Sequence, residues 1–330
     1  MRIALIGFGG VGKAFTRLLE EKKEELNRKN ISISLTYIIR SQGGVYDPLG
    51  ITNSSSLIFN PAITFQSLIK RRDVDLLVEA TPTNKETGEP GLTHIAEALN
   101  SGIHVVTANK GPVLLAYRDL YVMAKRNHVQ FAIGCTTGGA LPVINAGLFD
   151  MAGASISSIE GILNGTSNFI FQEMELNGTS YLDALKKAQG MGIAETDSTL
   201  DVEGWDTAIK LLILVNVLMG ENKKLSDICV EGITTISAGK IQEVRRDGKR
   251  IKLIGKARKT GNDVILSVQS ETIDSSHPLY GVNGTNKAVR FISDSLGELT
   301  IIGGASGTTS AAASLLRDII NIQKGYQFVS

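Results

Sequence analysis

Cysteine is nearly absent: Cys135 and Cys229 are the only two in 330 residues, too few and too far apart for a disulfide framework or a zinc site. A reducing cytoplasm is the compartment this predicts. Neither sign of charge dominates, with 34 Lys and Arg against 33 Asp and Glu, and no basic block interleaved with aromatics supplies the electrostatic footprint that nucleic acid requires. Nucleic acid is therefore excluded as a partner. Long apolar runs are also lacking, since Leu211–Val215 falls far short of the roughly 20 residues that span a bilayer. Met1-Arg2 passes directly into a strand pattern, with neither the charged start nor the cleavage site of an export signal. Neither membrane insertion nor export is expected. His94, His104, His128 and His277 share no ligand spacing, which favours capping, core or surface roles over metal binding.

What is present fits two domains of middling size. The first half alternates short β-branched runs (Ile3–Gly7, Ile33–Arg40, Val74–Ala80, His104–Ala108, Val129–Ile133) with helical repeats such as Val11, Phe15, Leu18, Leu19 and Leu26. This is the rhythm of a parallel α/β sheet. Beyond it come longer helices. Past about Lys249 there are hairpin-like pairs, Ile251–Arg258 and Val264–Ser270, around Thr260-Gly261-Asn262. The expected architecture is a Rossmann-type doubly wound parallel sheet, residues 1–135 completed by 303–330, with a second α+β domain over 136–302.

Gly7-Phe8-Gly9-Gly10-Val11-Gly12 follows the first strand and opens the first helix, the context in which G-x-G-x-x-G binds a dinucleotide. Small residues let the backbone approach the pyrophosphate, and the free N–H groups and positive helix end attract its charge. The second strand ends at Arg40-Ser41, where an NAD-selective site would place an acid for the ribose hydroxyls. Arginine grips a 2′-phosphate instead, so NADP is preferred over NAD. A solvated loop cation is the competing reading of Arg40.

Asp206 and Lys210 lie one helical turn apart in Asp201–Met219, a segment apolar on nearly every side through Trp205, Ile209, Leu212 and Leu214. A surface pair would contribute only about 0.2–0.5 kcal/mol. The stripe continues into Ile213 and Val217, which argues that these charges point inward, as groups that bind and move protons do. Cys135, flanked by Gly134 and Thr136 without a base, reads as a small buried filler rather than a nucleophile. Arg245 to Arg250 reads as a solvated mixed-charge turn.

Several motifs in order over nearly the whole chain resemble the homoserine dehydrogenase family: Gly7 to Gly12, Val106-Thr107-Ala108-Asn109-Lys110, Gly138-Gly139-Ala140-Leu141-Pro142, Gly161-Ile162-Leu163-Asn164-Gly165-Thr166-Ser167-Asn168, and Gly192-Ile193-Ala194-Glu195 through Asp201, Gly204, Asp206 and Lys210. His277-Pro278-Leu279 and Asn286-Lys287-Ala288-Val289 complete the set. The resemblance implies interconversion of L-homoserine and L-aspartate 4-semialdehyde with NAD(P), a step toward threonine, methionine and isoleucine. It makes Lys210 the acid/base and Asp206 a substrate ligand, sets Glu195 and the backbone of Gly192 on the amino-acid end beside Asp201, and puts Lys110 between nicotinamide and substrate. Phe8, Val11, Thr81 and Gly304 would line the cofactor. The resemblance also implies a homodimer formed through the second domain.

Three departures from the family pattern matter. Gly134 stands where many members carry a Glu that helps hold a monovalent cation, leaving the Thr137 and Gly139 carbonyls for that task. Thr196 and Ser198 replace prolines, which should loosen the loop. With the chain running to Ser330, no appended threonine-sensing domain is expected. Two other readings share these residues. One is a related two-domain oxidoreductase acting on another amino-acid-derived alcohol or aldehyde, and the other is a non-catalytic dinucleotide sensor.

Overall fold

The computed structural model describes residues 1–329 apart from 53 and 55. Its contacts divide the chain into one unit of Met1–Ala140 with Gly307–Ser330 and another of Leu141–Ser306.

In the first unit the apolar runs form a six-stranded sheet of order β3-β2-β1-β4-β5-β6. Its strands are β1 Arg2–Ile6, β2 Ser34–Arg40, β3 Gly43–Tyr46, β4 Leu76–Glu79, β5 His104–Thr107 and β6 Phe131–Ala132. Neighbours are parallel except β3, which returns antiparallel on β2. Ile3, Leu5, Leu76, Leu77 and Val105 are wholly buried, as strands covered by helices on both faces require. Helices α1 Gly10–Arg28, α2 Phe65–Arg71, α3 Gly91–Asn100, α4 Lys110–Arg126 and the single turn α5 Cys135–Gly138 connect and follow the strands. The strands nearest the middle end in step, because Ile6 pairs with Glu79 and Glu79 with Thr107. Strand order reverses between β1 and β4, the switch point at which open α/β sheets hold ligands.

The second unit contains α6 Val143–Asn145, α7 Gly165–Asn177, α8 Tyr181–Gly190, α9 Thr199–Val202, α10 Trp205–Leu218 and α11 Ala238–Arg246. Its six-stranded sheet has the order β12-β11-β7-β9-β10-β8, built from β7 Ile156–Ile162, β8 Ile228–Val230, β9 Arg250–Thr260, β10 Asp263–Ile273, β11 Lys287–Ser293 and β12 Glu298–Gly303. The β9–β10 hairpin is the one expected from the sequence, whereas β7, β11 and β12 carry no pattern that separates them from loop. The apolar segment from Asp201 to Met219 is not one helix. Gly204, in left-handed conformation (φ 84°), ends α9 and restarts the chain as α10. Arg245 and Arg250 are not simply solvated: Arg245 donates to the Glu175 carbonyl, and Arg250 pairs with the Glu175 carboxylate at 3.2 Å.

One face of this sheet lies on α10, since Gly255 of β9 leaves the space that Thr207 and Leu211 fill. Along the other face Glu271, Lys256, Glu160, Arg290 and Glu298 alternate in sign over adjacent strands, with N–O separations of 2.7, 3.1, 3.2 and 2.5 Å in that order. Burial works to raise the Glu160 carboxyl, but Lys256, His277 and Arg290 more than offset it and hold it below the usual range. The chain's last helix, α12 Thr308–Gln323, belongs to the first unit and lies against α1.

Candidate active site

In the first unit a cleft of about 1120 Å³ opens at the carboxyl ends of β1, β2 and β4. Gly7 to Val11, Arg40 to Gly43 and Ala80 to Thr83 line it, with His94 and Ala108. Its floor exists because side chains are missing. A Cβ on Gly7 (φ 98°) would stand 2.5 Å from the Ala80 carbonyl oxygen, and one on Gly12 would collide with the Gly7 carbonyl. Gly9, by contrast, faces open space, and it immediately precedes the first residue of α1. Close packing at Gly7 and Gly12 with room at Gly9 suits a pyrophosphate on a helix N-terminus. A dinucleotide therefore fits, held by the Gly9–Gly10 backbone. Arg40 ends β2 with its guanidinium 3.8 Å over the Phe59 ring, and Phe59 packs in turn on Phe8 at 5.9 Å.

Thr81 lines this cleft. Its N–H donates to Glu79 Oε1 at 3.0 Å and its hydroxyl to the same oxygen. Lys110 is the first residue of α4, whose N-cap Asn109 accepts from Gly111 N at 3.0 Å.

The second unit gathers a compact polar cluster. Lys210 donates to Asp206 Oδ2 at 2.5 Å and to the Leu163 carbonyl at 2.9 Å. Asn164 donates from its amide nitrogen to Asp201 Oδ1 at 2.7 Å and to Asp206 Oδ2 at 2.9 Å, while its Oδ1 caps α7 by accepting from Ser167 N. Side chains of Lys210 and Asp206 are only 14% and 12% exposed, so the pair is no solvated surface bridge. Burial, then the nearby Asp206 charge, raises the Asp201 carboxyl above its ordinary value; Asn164 and Lys210 act against that rise.

Not every expected site residue joins this cluster. Glu195 and Gly192 are exposed on the turn after α8, where the Glu195 carbonyl accepts from Gln189. Gly304 (φ 82°) lets Leu141 approach within the second unit, where a Cβ would stand 2.6 Å from Leu141 Cβ. Asn164, by contrast, joins both aspartates and was no site candidate from sequence. The signal available was the Gly-Ile-Leu-Asn-Gly-Thr run, in which an Asn before a helix reads first as a cap.

The cation position has no carboxylate of its own. Gly134 N donates to the buried Asp318 Oδ2 at 3.0 Å, and Asp318 Oδ1 is held by Arg317 Nε at 3.0 Å. That acid is thus already paired with a cation, and the side chains described here do not fit a carboxylate-assisted cation site.

A parallel sheet with a glycine-floored cleft at its switch point, joined in one chain to a part-buried lysine–aspartate pair, defines a nicotinamide-dependent dehydrogenase. The family model described as homoserine dehydrogenase, NAD binding domain matches residues 7–133, and that described as homoserine dehydrogenase matches 142–320. Homoserine dehydrogenase of Methanocaldococcus jannaschii is 38% identical over 98% of both chains. An NAD(+)-dependent homoserine dehydrogenase of Pseudomonas canavaninivorans is 36% identical over 98% of this chain and 96% of its own. A crystal structure of a candidate homoserine dehydrogenase from Archaeoglobus fulgidus superimposes with a TM-score of 0.88 at 32% identity, covering 98% of this chain and 99% of that one. The chain belongs to the homoserine dehydrogenase family and is an NAD(P)-dependent oxidoreductase acting on a CH–OH group.

Proposed function

We propose that Lys210 carries the proton in the interconversion of L-homoserine and L-aspartate 4-semialdehyde. The observation that carries this reading is the pair of half-buried Lys210 with buried Asp206, with Asn164 behind it. Oxidation of the primary alcohol removes a hydroxyl proton as hydride leaves the same carbon, and the nicotinamide supplies the hydride acceptor when bound. The amine form of Lys210 takes that proton on its lone pair; as the ammonium so formed it commits two of its three donors to Asp206 and Leu163, which leaves the third for the reacting oxygen. In the reductive direction the ammonium donates to the carbonyl oxygen, and Asp206 fixes its position. Glu195, Gly192 and Asp201 take the amino-acid end, Lys110 assists at the nicotinamide, and Gly304 lines the cofactor, on the strength of the family pattern. NADP is the preferred cofactor, supported by Arg40 at the end of β2 with no acid in its place. No monovalent cation takes part in this reading.

The expected assembly is a homodimer through the second unit. Its sheet face opposite α10 bears Ile265 and Ile302, 60% and 51% exposed, beside the alternating charges, a surface suited to a second copy. A monomer by light scattering at assay concentration would contradict that. Cys135 and Cys229, neither of them in a disulfide, suit a reducing cytoplasm as its place; no described helix is long and apolar enough to cross a membrane. Steady-state rates with L-homoserine and each of NAD and NADP test substrate and cofactor together. Turnover of other amino-acid-derived alcohols with equal efficiency would overturn the substrate assignment.

A further inference from the structure

Glu79 is a wholly buried carboxylate that the proton-transfer scheme does not use. As the last residue of β4 it lies in register with Ile6 on one side and Thr107 on the other, one position before the Ala80 carbonyl that packs on Gly7. Every close polar neighbour described for it is a donor. Oε1 accepts from the Thr81 N–H and hydroxyl, and Oε2 from the Thr107 hydroxyl at 3.1 Å. His94 Nδ1, at 3.9 Å from Oε1, is too far for a hydrogen bond. Gly91, the first residue of α3, has no side chain to block the approach: a Cβ there would be 3.2 Å from Glu79 Oε2 and 2.5 Å from Asn109 Nδ2. The carboxylate therefore sits at the positive end of α3, where negative charge is favoured.

Donation toward Glu79 sets the direction of every bond beyond it. The Thr81 hydroxyl gives its proton to Glu79 and so offers a lone pair to Asn109 Nδ2 at 3.2 Å. The Thr107 hydroxyl has Glu79 Oε2 at 3.1 Å and the Glu79 backbone carbonyl at 3.2 Å as acceptors for its one proton, and it accepts from Asn109 N at 3.0 Å. Asn109, fixed at both backbone and side chain, turns its Oδ1 to Gly111 N and caps α4, of which Lys110 is the first residue. An ionised carboxylate, which only accepts, satisfies this chain of donors. A carboxamide keeps one acceptor for the Thr81 donors but turns its NH₂ toward Thr107, whose hydroxyl must then give its proton to the Glu79 backbone carbonyl at 3.2 Å instead.

We infer that Glu79 is a positioning residue for hydride transfer: through Thr81, Thr107 and Asn109 it sets the Thr81 side of the cofactor cleft and the start of α4 that bears Lys110. This rests on the reading of the Thr81 end of that cleft as the nicotinamide's seat. The adenine and pyrophosphate contacts lie with Gly9 and Arg40, away from Glu79 in sequence and on other loops, so misalignment should slow chemistry while leaving affinity nearly intact.

The test is Glu79→Gln, with NADPH and NADH affinity measured by fluorescence in the absence of turnover, and with kcat and the primary isotope effect measured on homoserine deuterated at the reacting carbon. The expected result is a kcat lower by about 10- to 100-fold, the scale of a small misplacement of reacting groups. The isotope effect should rise, and cofactor Kd should change less than about threefold. Parent-like kcat per folded molecule would overturn the inference, and so would a Kd that weakens in step with kcat. Should the Gln variant not fold, Thr107→Val against Thr107→Ser decides: a loss with Val that Ser restores supports the inference, and equal rates overturn it. Failure of the parent to bind either nucleotide would overturn the cleft assignment itself, and this inference with it.

Discussion

Asp206 and Lys210 stand one turn apart on α10 with 2.5 Å between Oδ2 and Nζ. The same carboxylate oxygen accepts from Asn164, so the aspartate is fixed from two sides and the lysine's position follows from it. Lys210→Met keeps an unbranched stem and removes both the charge and the proton. Turnover is expected to fall by roughly two to four orders of magnitude, the usual contribution of a general acid or base, with dinucleotide affinity hardly altered. Lys110→Met is the control for which lysine transfers the proton. Near-normal kcat with a raised KM in the Lys210 variant would reassign it to substrate binding.

Asn164 bridges Asp201 and Asp206 while capping α7. Asn164→Asp replaces the bridging donor by a third carboxylate in a buried cluster, where like charges resist joint ionisation. It should cost more activity at neutral pH than Asn164→Ala and recover part of that loss as pH falls, because protonation removes the repulsion. The Ala variant removes the cap and takes the Asn164 donor from Asp201 Oδ1, while Asp206 Oδ2 keeps Lys210; a part-buried oxygen that loses its donor costs about 1–3 kcal/mol. Parallel pH–rate profiles for the two variants would show that charge at position 164 is immaterial.

The α10 pair was legible from spacing alone, because residues four apart share a helix face whatever surrounds them. The glycine cradle was legible for a similar reason: Gly7, Gly9 and Gly12 act through local backbone geometry. Asn164 was not, since its two aspartates come from segments 37 and 42 residues away. Strands β7 and β11 escaped notice because buried Glu160 and half-buried Arg290 break the apolar alternation; they are compensated by cross-strand partners that no local pattern reveals. Gly204 shows the converse, a helical repeat that continues through a left-handed residue at which the helix itself stops.

Arg40 holds its guanidinium carbon 3.8 Å over the Phe59 ring, a contact that restrains the guanidinium fork for a phosphate. Arg40→Asp should weaken NADP binding far more than NAD binding, since an acid repels the 2′-phosphate but accepts from free ribose hydroxyls. Phe59→Ala keeps the charge and loses the platform, and should give a smaller loss of the same sign. Equal losses for the two cofactors, measured by calorimetry, would exclude Arg40 as the phosphate clamp.

Lys252, on β9, is 1% exposed and donates to Asn168 Oδ1 at 2.9 Å and to the Val282 carbonyl at 2.6 Å. Burial, with Arg250 adding to it and Glu175 opposing, brings its ammonium down to about 8. The unfolded chain keeps a lysine near 10.4. Between these values the unfolded state binds more protons than the native one, so stability rises with pH through that window. Below about pH 8 both states are protonated and the penalty of the buried charge is present in full. The penalty is relieved as pH rises toward 10. In Lys252→Met this titration is gone, while the lost hydrogen bonds cost the same at every pH. The stability of the parent minus that of the variant should therefore increase by about 2–3 kcal/mol between pH 7 and pH 10. Urea unfolding read from Trp205, the chain's single tryptophan, reports on the unit that contains Lys252. Groups that titrate alike in both proteins cancel in the difference. A flat difference over that range would mean that Lys252 keeps an ordinary lysine's proton affinity inside the folded sheet.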